Sequence, residues 1–461
     1  MDAADSSRRS FNLALIVALF VAMVLGSSAT IFNDGDVSWH IATGQWILAH
    51  KAIPHTDPFS FTWGGKSWVA FEWFAEVLLA GAFAIARYSG VAALVTAALM
   101  ALHAFVFLNA TRFVRPWVAA GSVVAMDLVL IPMMLARPHV LAWPLVAGWT
   151  WLMLRTREQD RAPPLAVALL MVVWVNLHGS WVMGLAIAGA FGLEALVGSE
   201  DKARVLKQWG LFGLACLVAS CVNANGVDGV LHPFRVAGLQ TLPLIDEWKP
   251  SSPLVTPIFF VVLAAVLALL WIKRPKLPAI RWLLLGALLM LALFQVRHQA
   301  ILAIVAAMIV PSGFARRAER SSSVAGWVVP AAVALAAAVR ASLPITVPEN
   351  EANPWRLIAA IPPELRSQPV LNGYAMGGPL ILSGMRPYID GRSDMYGDAL
   401  VFDYKRITDG DAASLDAAVK RWNLRWAILP RRYTKLVALL DRSPGWRRIK
   451  EDEAGLIYVR A

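Results

Sequence analysis

The sequence predicts an α-helical polytopic membrane protein that ends in a small α/β soluble domain. Hydrophobic residues make up 58% of the 461 positions and charged residues only 16%, whereas soluble proteins carry about a quarter charged residues. Apolar runs close to the roughly 20 residues of a membrane span recur as far as residue 342 and then stop. This composition excludes an ordinary soluble enzyme, a disordered chain and a nucleic-acid-binding protein.

Twelve apolar segments are candidates for crossing the membrane. Arg8 and Arg9 precede the first segment, which lacks a small-residue cleavage site, so we expect a retained span rather than a removed signal peptide. Because basic residues accumulate in cytoplasmic loops, the N-terminus is predicted inside and residues 33–66 outside. The segments are 11–32, 68–87, 90–111, 117–136, 139–155, 163–177, 180–198, 207–223, 252–272, 278–297, 298–314 and 324–342.

Four clusters of basic residues orient the other segments. All four clusters are cytoplasmic if two spans separate each cluster from the next, and this puts the loop 224–251 outside. The segment 68–87, which contains Glu72 and Glu76, must then be only partly embedded, and about eleven spans remain in a transmembrane domain at 1–343. The clusters are Arg155, Arg157 and Arg161; Lys202, Arg204 and Lys207; Lys273, Arg274 and Lys276; and Arg316, Arg317 and Arg320.

Residues 344–461 are predicted to form an external α/β domain, long enough to bury a core of its own. The Pro-containing connector "LPITVPEN" marks its start. The pieces "PVLNGYAMGGPLIL", "RPYIDGR", "RWAILP" and "GLIYVR" are typical of short strands or strand–helix units, and a polar helix is expected at about 412–423. Within "IDGRSD", Asp390, Arg392 and Asp394 can grip a sugar, although a local salt bridge that fixes the turn is the favoured interpretation.

The first external loop carries the most informative residues. Asp34 and Asp36 follow the first span directly, and Trp39 and His40 come next. A carboxylate at the membrane surface can act as a general base or help to bind a cation that bridges phosphate. The alternative is that "NDGD" only forms a turn at a helix end, because Asn, Asp and Gly favour turns.

The pattern of this loop resembles a group of bacterial polytopic proteins related to the GT-C glycosyltransferases, which include protein mannosyltransferases, aminoarabinose transferases and oligosaccharyltransferases. Further stretches of resemblance are "ARPHV" at 136–140, "NLHGSW" at 176–181, "DEWKP" at 246–250 and "YIDGRSDMYG" at 388–397. The best-known members have Asp-Glu where this chain has Asp-Gly-Asp. The matching loop residues are Asp34, Asp36, Trp39, His40, Thr43, Gly44, Trp46, Ile53, Pro54, Asp57, Pro58, Phe59, Ser60, Thr62, Trp68, Glu72 and Trp73.

The resemblance implies an enzyme of the bacterial inner membrane with its active site on the external face. It implies a polyprenyl-phosphate-linked sugar as donor, membrane lipid as the surroundings, and an unidentified glycan, lipid or protein as acceptor. The catalytic acid would lie in the first external loop, with Asp36 as general base and Asp34 assisting. No cofactor is certain, a divalent cation is a candidate, and the residues that would hold a metal are unknown.

Several polar residues near the predicted outer membrane surface are candidates for substrate binding. Charged or titratable groups near the bilayer are costly and often functional, and Arg137 and Arg297 can grip a phosphate through two hydrogen bonds. The alternative for each arginine is an anchor that reaches the lipid headgroups. His178 is expected more often as a hydrogen-bonded loop residue than as a metal ligand. The complete candidate set is His40, Glu72, Arg137, His139, His178, Trp181, Arg297 and His298.

Two other functions stay open besides a transferase. A non-enzymatic transporter or flippase of lipid-linked sugars would use the same residues without a base, but such proteins often show internal repeats and functional groups at the bilayer midplane. An envelope assembly protein would dock a partner through its external domain. Cys216 and Cys221 are expected as small core residues, and Asp127 as a helix–helix contact or a lipid-exposed terminus.

Overall fold

The computed structural model describes residues 3–314 and 325–460, and it is mostly helical, at 68%. The predicted basic cluster at Arg316, Arg317 and Arg320 lies outside the described residues. The helices before the C-terminal region are α1 (Ala3–Gly26), α2 (Asp36–His50), α3 (Trp73–Ala110), α4 (Pro116–Leu130), α5 (Pro138–Glu158), α6 (Leu169–Leu177), α7 (Trp181–Gly198), α8 (Lys202–Ser220), α9 (Gly226–Ala237), α10 (Pro257–Lys273), α11 (Ala279–Phe294), α12 (Gln299–Ile309) and α13 (Val328–Ser342).

Within the described residues, five helical segments are long and apolar enough to cross a membrane. Four shorter apolar helices accompany them, so the prediction of about eleven spans is not confirmed by length and composition. The shorter helices fall below the roughly 20 residues that a span requires. The five segments are Arg8–Gly26, Trp73–Ala110, Pro116–Met133, Trp181–Gly198 and Val296–Gly313, and the shorter ones are Leu165–Leu177, Pro257–Lys273, Ala279–Phe294 and Val328–Ser342.

Helix α3 contains most of the apolar segments predicted at 68–87 and 90–111, and it bends sharply at the end of the first. Ala86 has φ −145° and Arg87 has φ 52°, both outside the helical region. A Cβ added to Gly90 would lie 1.9 Å from the carbonyl oxygen of Ala82, so the backbone after the bend returns against the backbone before it. The limb from Trp73 to the bend is about 20 Å long at 1.5 Å per residue, which is shorter than the roughly 30 Å hydrocarbon core.

Asp127, Cys216 and Cys221 lie in the helical region and differ in their burial and contacts. Asp127 is a helix–helix contact, because its Oδ2 lies 2.9 Å from Nε2 of His103 on α3. Cys216 is buried as expected, but Cys221 is exposed, so its prediction as a core residue is wrong. Helix α8 ends at the buried Ser220, and Cys221 is the exposed residue that follows it.

The C-terminal region contains a four-stranded mixed sheet with the order β1-β2-β4-β3. β1 and β2 are parallel, whereas β4 is antiparallel to both β2 and β3. "RPYIDGR" at 386–392 forms no strand, which corrects that prediction, and its backbone is bonded by side chains instead: Oδ1 of Asn372 accepts from the N–H of Tyr388 at 2.7 Å. The elements are α14 (Trp355–Ala359), β1 (Val370–Asn372), α15 (Gly377–Leu382), α16 (Ser393–Thr408), α17 (Ala412–Trp422), β2 (Trp426–Leu429), α18 (Thr434–Arg442), β3 (Trp446–Glu451) and β4 (Leu456–Arg460).

The predicted first external loop is partly helical. The carboxylate of Asp34 accepts a hydrogen bond from the backbone N–H of Asp36 at 2.9 Å, which satisfies a donor that would otherwise be free at the start of α2. The helix ends where Lys51 adopts a left-handed backbone with φ 52°. Trp39 and Trp68 belong to the same buried apolar cluster as Ile389, so this loop and the C-terminal region share a core.

Candidate functional site

Arg137 lies among three carboxylates that come from two separate segments of the chain. Its Nη1 lies 3.1 Å from Oδ2 of Asp34, its Nη2 lies 3.1 Å from Oδ2 of Asp36, and Nη1 lies 3.5 Å from Oε2 of Glu247. The side chains of Asp34, Asp36 and Arg137 are 15%, 13% and 20% exposed. We call Arg137, Asp34, Asp36 and Glu247 the Arg137 cluster. The cluster is largely buried but remains accessible to solvent.

Close backbone packing fixes the acidic end of α2. A Cβ on Gly391 would lie 1.8 Å from Oδ1 of Asp36, and a Cβ on Gly35 would lie 1.8 Å from the carbonyl oxygen of Ala375. A larger residue at position 35 would require the backbone to move, whereas a larger residue at position 391 would displace the Asp36 carboxylate. The C-terminal region therefore forms one wall of the site, and the hydroxyl of Tyr374 donates to the Gly391 carbonyl at 3.1 Å along that wall.

The environment of Asp36 makes its carboxyl group titrate near neutrality. Burial and, after it, the nearby charge of Asp34 raise its pKa to about 7, although the charge of Arg137 opposes both effects. A carboxyl group with such a pKa is partly ionised at pH 7 and can take a proton from a bound hydroxyl. Perturbed pKa values of this kind are common at functional sites.

Two acid–histidine pairs lie beside the Arg137 cluster. Nδ1 of His40 lies 3.4 Å from Oε1 of Glu76, and both side chains are 1% exposed. Nε2 of His178 lies 3.6 Å from Oε1 of Glu72, with both side chains 14% exposed. Glu72 and Glu76 are one helical turn apart, so they present their carboxyl groups on the same face of the chain.

The hydrogen bonds of His178 define its neutral form. The backbone N–H of Ser180 donates to Nδ1 at 3.1 Å, so the ring proton lies on Nε2 and points toward Glu72. Burial lowers the pKa of His178 well below its usual value, and the charge of Arg297 lowers it further. Burial also raises the pKa of Glu72 to about 8, with Arg137 opposing the shift. At pH 7 this pair is predominantly a neutral histidine beside a protonated acid.

Among the described residues Arg297, unlike Arg137, has no carboxylate within 4 Å. Its guanidinium carbon lies 4.2 Å from the centre of the Trp248 ring. Its charge, like that of Arg137, opposes the effect of burial on the pKa values of Glu72 and Glu247. It is therefore a cation whose donors remain available for an anion.

The remaining predicted site residues, His139, His298 and Trp181, differ in how close they lie to the site. His139 joins the site: its ring centre lies 6.2 Å from that of His178, and its Nε2 donates to the Met133 carbonyl at 2.8 Å. His298 is half-buried beside Arg297. Trp181 is 2% exposed within the apolar core, so it supports the helix that follows His178 and presents no surface to the site.

Arg392 forms a second and fully buried ion cluster in the C-terminal region. Its Nε and Nη2 donate to the two oxygens of Asp390 at 2.8 and 2.7 Å, as the favoured salt-bridge interpretation predicts. Its Nη1 also donates to Oδ1 of Asp57, at 2.7 Å. Asp57 belongs to the predicted first external loop, and the sequence did not indicate this contact. Arg392, Asp390 and Asp57, here called the Arg392 clasp, tie the first loop to the C-terminal region.

Sequence reasoning missed Glu76 as a partner of His40 and Glu247 as a partner of Arg137. Glu247 lies in "DEWKP", a stretch that carries the resemblance, and Glu76 follows Glu72 by one helical turn; these were the available signals. The described residues contain no group of three His, Cys, Asp or Glu side chains that could hold a metal ion. Arg137 occupies the space between Asp34 and Asp36, where a cation would otherwise bind.

Within the described residues, the site thus combines a carboxyl group that titrates near pH 7, two acid–histidine pairs and an arginine with no carboxylate within 4 Å. Such a set can remove a proton from one group and stabilise negative charge on another. No known protein family and no curated protein matches the chain.

Proposed function

We propose that the protein is a membrane glycosyltransferase related to the GT-C class, which moves a sugar from a polyprenyl-phosphate carrier to an acceptor on the external face. The observation that carries the proposal is Asp36, a largely buried carboxyl group at the start of α2 with a pKa raised to about 7. Five helical segments within the described residues are long and apolar enough to cross a membrane, which fits a lipid-linked donor.

In the proposed reaction Asp36 accepts the proton of the acceptor hydroxyl. The acceptor oxygen forms a bond to the anomeric carbon of the sugar, and the bond between that carbon and the phosphate oxygen breaks. Polyprenyl phosphate leaves with the electron pair. Asp34 orients Asp36 through its backbone N–H and keeps its pKa high, so it assists without receiving the proton.

Arg297 is the proposed phosphate-binding residue. Arg137 already faces three carboxylates, and a phosphate would have to compete with all of them. Arg297 instead keeps its donors free while Trp248 holds one face of the guanidinium. Charge on the leaving phosphate grows as the sugar departs, and a positioned guanidinium stabilises it.

The proposal includes a topology of about eleven spans in the bacterial inner membrane, with the N-terminus in the cytoplasm and the C-terminal region outside. In a protein with Cys216→Ala and Cys221→Ala, single cysteines at the exposed positions Ser367 and Glu200 should differ in labelling by a membrane-impermeant thiol reagent applied to spheroplasts. Labelling of Ser367→Cys alone supports the topology. Labelling of Glu200→Cys alone would invert it and put the site in the cytoplasm.

The purified protein, incubated with a panel of polyprenyl-phosphate sugars, should consume at least one donor, and Asp36→Asn should not. Arg431→Leu removes one partner of the exposed ion pair between Arg431 and Glu451 and serves as the control that retains turnover. Consumption of a donor by Asp36→Asn at the wild-type rate would refute the assignment of the base.

An envelope assembly protein is the second candidate, because the glycine contacts of Gly35 and Gly391 press the C-terminal region closely onto Asp36. A C-terminal region packed this closely against the rest of the chain also presents a rigid surface to which a partner protein can bind. Absence of turnover with every donor, together with loss of a co-purifying envelope protein on mutation of the external surface, would favour this candidate.

A further inference from the structure

Helix α9 has an exposed apolar face that no other part of the chain covers within the described residues. The helix runs from Gly226 to Ala237, and Val227, Leu231 and Phe234 are 65%, 43% and 59% exposed. These positions are spaced by four and three residues, so they line one face of the helix. Isolated exposed apolar residues are ordinary, but a continuous stripe of this kind marks a surface that binds something apolar.

The opposite face of α9 is attached to the C-terminal region. His232 is buried there, with Nε2 3.1 Å from Oδ2 of Asp394 and its ring 4.7 Å from that of Phe71. Just after the helix, the backbone N–H and hydroxyl of Thr241 donate to Oδ1 of Asp398 at 3.0 and 2.8 Å. Two carboxylates of α16 therefore hold this segment, and α9 cannot turn its apolar stripe inward without breaking these bonds.

A polar edge separates the two faces. Asp228 and Arg235 form an exposed ion pair at 2.7 Å, and both lie on the helix between the apolar stripe and the buried face. The C-terminal end of α8 immediately before this segment is also apolar and exposed, with Leu217 at 52% and Val218 at 60%. Exposed apolar side chains therefore occur both on α9 and at the end of the helix that precedes it.

We propose that α9 is an interfacial helix that lies along the membrane surface with Val227, Leu231 and Phe234 inserted among phospholipid chains. At 1.5 Å per residue, its 12 residues are about 18 Å long, too short for the roughly 30 Å core. An apolar stripe beside a charged edge is the pattern of a helix that lies in the interface rather than crossing it. The polar edge faces water, and the buried face carries the C-terminal region.

This arrangement gives α9 a function apart from any catalytic chemistry. Through His232 and Thr241 it fixes the height of the C-terminal region above the lipid, because one face of the same helix contacts lipid and the other contacts α16. The inference requires a membrane but not the transferase activity, so either one can fail without the other.

The test measures the depth of single nitroxide labels in the full chain, reconstituted in nanodiscs of phosphatidylethanolamine and phosphatidylglycerol. Cys216→Ala and Cys221→Ala form the background, and cysteines replace Val227, Leu231 or Phe234 in one set. Asp228→Cys and Arg235→Cys, on the polar edge of the same helix, form the matched control set. All five positions are exposed, so a label displaces no buried side chain.

Collisions with oxygen, which concentrates in lipid, should exceed those with a water-soluble nickel chelate at 227, 231 and 234, and the order should reverse at 228 and 235. Equal access of the nickel chelate to all five labels would place α9 in water and overturn the proposal. Labels at 231 and 234 that are shielded from both reagents would show that protein covers the stripe, which overturns it as well.

Discussion

Two arginines face carboxylates of the predicted first external loop, and their surroundings differ sharply. Arg392 is 1% exposed, and all three of its donor nitrogens bond to the buried oxygens of Asp57 and Asp390. Arg137 is 20% exposed and shares its charge among three carboxylates at 3.1 to 3.5 Å. The first arrangement gives every carboxylate oxygen a hydrogen-bond donor, whereas the second gathers three acids around a single base.

This difference separates a structural ion cluster from one that can do chemistry. In the Arg392 clasp each acid oxygen has a donor, including the Tyr396 hydroxyl at 2.6 Å from Oδ2 of Asp390, so nothing remains for a ligand. In the Arg137 cluster, burial and, after it, the charge of Asp34 together raise the pKa of Asp36 to about 7 against the opposing charge of Arg137. Burial beside a second carboxylate is therefore what prepares Asp36 to accept a proton.

The largest expected effect concerns the Arg392 clasp. Arg392→Leu leaves two buried carboxylates without their partner, which costs roughly 3–5 kcal/mol of the free energy of unfolding. The full chain in detergent should melt at a lower temperature, and protease should release the region after 344 more easily. Arg431→Leu removes a partner of the exposed Glu451 at 3.0 Å and should change stability by about 1 kcal/mol or less. Equal melting temperatures for the two variants would contradict the contrast between buried and open clusters.

Donor binding should depend on Arg297 more than on Arg137. Charged hydrogen bonds contribute about 1.5–3 kcal/mol, so Arg297→Ala should weaken the affinity for a polyprenyl-phosphate sugar roughly ten- to hundredfold. Arg297→Lys keeps the charge but loses the planar pair of donors and should restore only part of the affinity. Equilibrium binding of a labelled donor in nanodiscs measures both variants; wild-type affinity in both would reduce Arg297 to a membrane anchor.

A smaller effect is expected on the pH dependence of turnover. Transfer requires ionised Asp36, so the rate should rise with pH through about 7. Asp34→Asn removes a negative neighbour, lowers the pKa of Asp36 and shifts this rise to lower pH by up to about one unit. Arg137→Gln removes the positive neighbour and should shift it to higher pH. Rate profiles from pH 5 to 9 distinguish the two variants, and shifts in the same direction would contradict the assigned electrostatics.

The sequence indicated most of the individual residues of the site but few of their partners. Composition and apolar length predicted a helical protein with candidate spans and a C-terminal sheet, because these depend on local hydrophobicity. Polar residues next to apolar runs marked Asp36, Arg137 and His178. The Arg392–Asp57 contact joins residues 335 positions apart, and no local pattern reports such a distance. For the same reason the bend at Arg87 and the exposure of Cys221 were missed: both depend on how the helices pack.

The central claim is that Asp36 is the general base, and the most direct test is the transfer rate of Asp36→Asn at saturating donor and acceptor across the pH range. Asparagine has nearly the same size but cannot accept the proton, so the protein should fold, melt as the wild type does and react about a hundred- to ten-thousandfold more slowly. The residual rate should no longer rise through pH 7. A folded Asp36→Asn protein that retains the wild-type rate and pH profile would contradict the claim.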